Sequence, residues 1–430
     1  MSSEALWMAD RRRSWWVLTF LVAVHTCCWM DRYVATILME PMKRELGLSD
    51  TQLGMLTGFA FSLVYSVTAL PLGRLVDRGP RQLILATLIG VWSIATMLAS
   101  AATRFSHLAA SRLMVAGAES GCSPCAYSLL SDSFPAKMRG RAISLYALGV
   151  PLGAALGLGL GGWISDIFGW RATYLILGAP GLFLALCAIL WMREPDRGRY
   201  DAATERPQGF SLSEALSYMC ANRIFIVCAV AIGALGVTTS AFNGWAATYL
   251  IRVRGMTGSE AGALVGTLAG LGGLIGSVAT SFIVDRLGRR DVRWYLWLPL
   301  ISGLLLLPAG QIFFKSEGVL SHLAFLTMAI AGPLYLAPLF TLCQIALPAR
   351  LRAFGSAMML LSINLLGMGG GIFATGLMSD VFSRSGANQP LQNAILFTQS
   401  GAIVGIIVLL IGSRWIVDET RTSTSVGNGN

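Results

Sequence analysis

Apolar residues fall into blocks of about 20, the length that crosses about 30 Å of hydrocarbon, with polar clusters between them. Six blocks lie near residues 14–38, 51–72, 82–103, 107–131, 139–163 and 172–192. Six more lie near 223–250, 259–283, 294–314, 319–346, 353–378 and 393–416. In hydrocarbon a backbone must satisfy its own hydrogen bonds, so each block is expected to be a helix. The pattern predicts an all-α membrane protein with twelve transmembrane helices in two six-helix bundles. The bundles are expected at 1–193 and 223–417, separated by a charged linker at 194–222 and followed by a tail at 418–430.

Composition narrows the class. The chain is 55% apolar and 13% charged, whereas a soluble domain is usually about one quarter charged. Of its 32 Lys and Arg residues, 22 fall in segments on the side of the N-terminus, 8 in loops on the other side, and 2 (Arg32 and Arg112) within spans. The positive-inside rule therefore places both termini in the cytoplasm. The net charge of +10 then faces anionic lipid headgroups and implies no nucleic-acid partner. Arg11, Arg12 and Arg13 precede the first block as in a signal peptide, but its length and the Asp31–Arg32 pair near its end mark a retained helix.

The eight cysteines lie in or at the edge of apolar segments, so no extracellular disulfide framework is expected. Cys122 and Cys125 have metal-site spacing, but with no second pair or histidine cluster they read as packing. No phosphate-binding Gly-rich loop followed by Lys-Ser or Lys-Thr is present, so no ATP or other cofactor is called for, and the proton gradient is the expected drive.

The chain repeats itself. Gly47 to Gly54 matches Gly255 to Gly262, and Asp77-Arg78 matches Asp285-Arg286, both at a shift of 208 residues. Pro135 to Arg139 recurs as Pro348 to Arg352. Two copies of a six-helix unit, related by a pseudo-two-fold axis along the membrane normal, are the plan of many secondary transporters, with the substrate bound between them.

The strongest chemical signal is four ionisable residues inside apolar blocks: Asp31 and Arg32 in the first, Arg112 and Glu119 in the fourth. A charge at bilayer depth costs about 2.5–3.5 kcal/mol on insertion scales, and such residues usually mark ion or proton pathways. Arg112 and Glu119 are seven apart, about two turns, so they share a helix side. Glu119 should lie nearer the midplane, with Asp31, Arg32 and Arg112 at similar heights. These spacings assign Asp31 and Glu119 as protonation sites, paired by Arg32 and Arg112, which are also candidates for an anionic substrate group. A static ion-pair network that fixes packing is the competing reading. His25, seven residues before Arg32, lies on the same stripe and is a further candidate, although a lone histidine there more often packs. The second half is almost uncharged within its spans, and Asn243 and Tyr335 are its candidate substrate contacts.

Gly73-Arg74-Leu75-Val76-Asp77-Arg78-Gly79-Pro80-Arg81 resembles the loop signature of the major facilitator superfamily, one residue short before the last arginine. Met30-Asp31-Arg32-Tyr33 and the run from Ser111 to Ser120 resemble its Spinster family. The resemblance implies the major facilitator fold, a monomer, and Gly73, Asp77, Arg78 and Arg81 as a conformational latch; the lack of any Asn-x-Ser/Thr site fits a bacterial inner membrane. It also implies proton-coupled transport, by alternating access, of an amphipathic lipid such as a lysophospholipid or sphingosine phosphate. The same charged set resembles symporters of small organic anions such as sugar acids. A membrane sensor without transport is the alternative from another class. An enzyme is disfavoured by the lack of a Gly-x-Ser-x-Gly elbow, a histidine cluster or a soluble catalytic domain.

Overall fold

The computed structural model describes residues 3–200, 211–288 and 290–427, and a helix covers every predicted block. Residues 201–210 of the linker, Arg289 of the second signature copy and the last three tail residues lie outside the described residues. Nine stretches among the described residues are long and apolar enough to cross a membrane. One of them, Lys137–Trp191, is two spans joined at Gly169, whose φ of 81° interrupts the helix and suits a residue without Cβ. Composition alone would not select the remaining two. They are the first helix, Ser3–Ile37, which carries His25, Asp31 and Arg32, and the fourth span, broken into Phe105–Glu119 and Cys122–Ser133.

Two compact units form, one of residues 1–205 with 246–270, the other of 206–245 with 271–430. Residues 246–270, placed by the sequence in the second bundle, thus pack with the first. One reason is Arg252, which binds both oxygens of Asp50 at 2.7 and 2.9 Å and Glu40 at 2.7 Å. Another is a run of small residues: Gly262 lies against the Leu158 carbonyl and Gly266 against Ala155.

The repeated octapeptide has a local physical cause. Ser49 and Gln52 exchange side-chain-to-backbone hydrogen bonds in a capping box, and Thr257 and Glu260 do the same 208 residues on. Gly47 (φ 64°) and Gly255 (φ 67°) each take the left-handed turn before the cap. Both copies therefore start a membrane helix abruptly after a tight turn.

The first helix is held by a glycine stripe. Cβ atoms added at Gly149, Gly153 and Gly157 would meet His25, Trp29 and the Met30 backbone. Without those side chains the two backbones approach closely, which fixes where Asp31 and Arg32 point. The core below the charges is apolar, built on Leu21, Leu85, Ile89, Val115, Cys125 and Leu129. A separate core in the other unit is centred on Cys228, Ile232, Leu235, Leu339 and Met359.

Candidate functional site

Consecutive helical residues point about 100° apart, so Asp31 and Arg32 address different neighbours. Asp31 Oδ2 accepts from Arg112 Nη1 at 2.7 Å, and its Oδ1 accepts from Thr96 Oγ1 at 2.8 Å. Arg32 Nε donates to Glu119 Oε2 at 2.7 Å. The four charges thus form two crossed ion pairs between the first and fourth spans. Asp31, Arg112 and Glu119 retain 7%, 3% and 2% of their accessible surface, so water screens none of them well.

The two carboxylates differ. Both oxygens of Asp31 are engaged, whereas Oε1 of Glu119 has no hydrogen-bond partner among the described residues, and neither does Nε of Arg112. A single Nε–H···O contact holds Glu119 less firmly than the two-pronged geometry arginine can offer. Glu119 also ends its helix segment: the helix is interrupted at Ser120 and Gly121, with Ser120 Oγ 2.9 Å from Thr68 Oγ1.

Arg32 has a second set of partners. Its guanidinium carbon lies 4.9, 5.1 and 4.7 Å from the ring centres of Trp29, Phe61 and Tyr65. The guanidinium carbon of Arg112 also lies 5.2 Å from the Phe61 ring centre. Ring faces attract a cation by about 2 kcal/mol or more when desolvated. Arg32 therefore has somewhere to rest if Glu119 becomes neutral.

The other predicted residues are distributed as follows. His25 is tied to its surroundings: Trp29 Nε1–H donates to Nε2 at 3.0 Å, which leaves Nδ1–H to donate to the Tyr146 carbonyl at 3.0 Å. The ring stacks on Tyr146 at 4.1 Å. In the second unit Tyr335 is buried with its hydroxyl 3.1 Å from Thr239 Oγ1, and half-buried Asn243 stands one turn beyond Thr239.

Among the signature residues, Arg81 is fully buried and bonds Glu194 at 2.7 Å, Asp132, Ser128 Oγ at 2.9 Å and the Pro195 carbonyl at 2.7 Å. Asp77 and Arg78 are exposed in the last turn of the second span. There Arg197 caps the carbonyls of Val76, Asp77 and Gly79. Gly73 has nothing near its absent side chain.

Several members of these networks were not singled out by the sequence. Thr96, Phe61 and Tyr65 are ordinary residues of apolar spans, and nothing in their spacing marks them. Asp132, near the end of the fourth span, and Glu194, opening the linker, carried a signal: each is an acid beside a membrane end. Glu40, Asp50 and Arg252 form a second buried ionic cluster in the first unit, joined by Lys43 at 2.6 Å from Asp50.

Comparison with known proteins matches this architecture. The family model described as Major Facilitator Superfamily matches residues 21–372. An MFS-type efflux pump of Mycolicibacterium smegmatis is 31% identical over 425 residues, covering 96% of this chain and 97% of that protein. The sphingosine-1-phosphate transporter SPNS2 of Danio rerio is 26% identical, covering 89% of this chain and 80% of that one. Among solved structures, a bacterial homologue of the human lysosomal transporter Spinster, inward-facing and unoccupied, superposes with a TM-score of 0.82. It is 26% identical and covers 94% of this chain and 97% of that one.

Proposed function

Since the chain belongs to the major facilitator superfamily and is a membrane transporter rather than an enzyme, we propose that it couples transport to protons through the crossed ion pairs. The observation that carries this reading is Glu119: buried, held by one hydrogen bond, and with Oε1 unpartnered. That oxygen can take a proton without first losing a contact. Protonation cancels the charge that holds Arg32, and the guanidinium falls back on Trp29, Phe61 and Tyr65. The freed arginine then binds an anionic group of the substrate, and return of Arg32 to Glu119 expels the proton. Asp31, with both oxygens satisfied, holds Arg112 in register and is the second protonation site.

The cargo we propose is an amphipathic lipid bearing phosphate, such as a lysophospholipid or a sphingosine phosphate. Two observations favour it: the aromatic lining around a cation suits a lipid with one anionic end, and a relative is named for transport of sphingosine-1-phosphate. Asn243 and Tyr335 are proposed as uncharged substrate contacts, and Arg81 with Asp132 and Glu194 as the anchor of the latch. The membrane is a bacterial inner membrane with both termini cytoplasmic, and the working unit is a monomer.

The test is reconstitution in liposomes that enclose a pH dye. Addition of lysophospholipid or sphingosine phosphate to wild-type protein evokes proton movement, and Glu119→Gln abolishes it while the variant still binds the lipid. Full proton movement in Glu119→Gln would defeat the coupling assignment.

A further inference from the structure

The second unit carries a cleft of about 500 Å³ that no part of the coupling reading uses; Pro308, Gln311, Phe397, Gln399, Ser400 and Ile403 are among its walls. It lies between the ninth span, Trp294–Lys315, and the twelfth, Pro390–Trp415. Gln399 sits where the twelfth span is interrupted, between the helical segments Pro390–Thr398 and Ser400–Gly427.

The amide of Gln399 is the unusual group. The residue is 2% exposed, and neither Oε1 nor Nε2 has a hydrogen-bond partner among the described residues. A buried amide left unpaired on both ends is costly and calls for a ligand that supplies a donor and an acceptor. The amide itself fills the space over Gly310, where a Cβ would collide with it, and both of its polar atoms are closed off from the cleft.

The rim indicates where the ligand comes from. Phe397 and Ile403 are 53% and 48% exposed on a helix of membrane-crossing length, so the cleft opens to lipid. Gly310 precedes Lys315, the last residue of its helix, by five positions, about 7–8 Å of rise. A lysine ending a membrane helix reaches to the headgroups, which puts the amide near the level of a lipid backbone. No charged side chain lines the cleft, so a phosphate or ammonium is not what it recognises.

We propose that this cleft binds a membrane amphiphile through a free hydroxyl on its glycerol or sphingoid backbone. Once the Gln399 amide turns from Gly310 toward the cleft, one hydroxyl meets both of its needs, donating to Oε1 and accepting from Nε2, while the acyl chain lies against Phe397 and Ile403. The site does not depend on proton coupling or on which cargo is moved.

The experiment uses full-length protein in phosphatidylcholine nanodiscs doped with one of two photoreactive probes carrying the same diazirine acyl chain. One probe is a lysophosphatidylcholine with its free glycerol hydroxyl; the other is the diacyl lipid, which lacks it. Labelled peptides are mapped by mass spectrometry. The hydroxyl-bearing probe labels residues 307–311 and 396–403 about fivefold more than the diacyl probe, the ratio one neutral hydrogen bond provides. Gln399→Leu removes that preference. Phe397→Ala lowers labelling by both probes together and keeps their ratio. Equal labelling by the two probes in the wild type, or a preference that survives Gln399→Leu, overturns the site. The wild-type comparison decides the matter even if Gln399→Leu fails to fold. Absence of lipid-evoked proton movement in the wild type, with the labelling preference intact, would sink the coupling reading alone.

Discussion

Replacing Arg112 by Gln strips a cation from a carboxylate that has little else. Asp31 would keep one hydrogen bond, from Thr96 at 2.8 Å, in a site where it is 7% exposed. Unit charges about 4 Å apart attract by about 4 kcal/mol at an effective dielectric near 20. Breaking one partner out of a buried pair commonly costs about 3–5 kcal/mol, because the remaining charge is stranded. Arg112→Gln should therefore lower unfolding stability by about 3–5 kcal/mol. The double variant Asp31→Asn with Arg112→Gln, which buries no charge at this position, should recover most of the loss. Unfolding in mixed micelles, followed through the fluorescence of the 12 tryptophans, measures both against wild type. A deficit under about 1 kcal/mol, the scale of an exposed pair, would refute the reasoning. So would a double variant no more stable than the single one.

Four further outcomes follow from the packing and the ionic contacts. Gly157→Leu places a Cβ 2.6 Å from the Met30 carbonyl and should cost about 1–3 kcal/mol or more by overpacking. Gly159→Leu, where nothing lies within 4 Å, should leave the melting temperature and the size-exclusion profile unchanged. Arg81→Ala removes the anchor of Glu194 and Pro195 and strands buried Asp132, so limited trypsin digestion should cut after Arg197 and Arg199 faster than in wild type. Hydrogen bonds from Trp170 and then Arg171 hold the exposed Glu45 carboxyl below its usual value of 4.5. A depressed folded-state value contributes stability that is present above the unfolded value and lost as pH falls below it. Melting temperature should fall on acidification through that range, and Glu45→Gln should flatten that part of the profile.

The chain's own order of residues determined most of the architecture. Block length specified helices because a bilayer leaves the backbone no other partner, and that signal survives in one dimension. The repeat was equally legible, since a capping box and a left-handed glycine are made by neighbours in sequence. The four buried charges stood out because each violates an apolar run. Their pairing did not. Asp31 and Arg32 are adjacent, and only the close approach of the first helix to the glycine stripe sends one to Arg112 and the other to Glu119. The aromatic faces around Arg32, the Thr96 bond, the tethering of His25 and the unpartnered Gln399 amide belong to the same category. Each depends on residues far apart along the chain, whose types are common in any membrane helix. Hydrophobic length is a local property that sequence carries directly; the partner of a buried polar group is decided by packing, and only tertiary structure brings the two together.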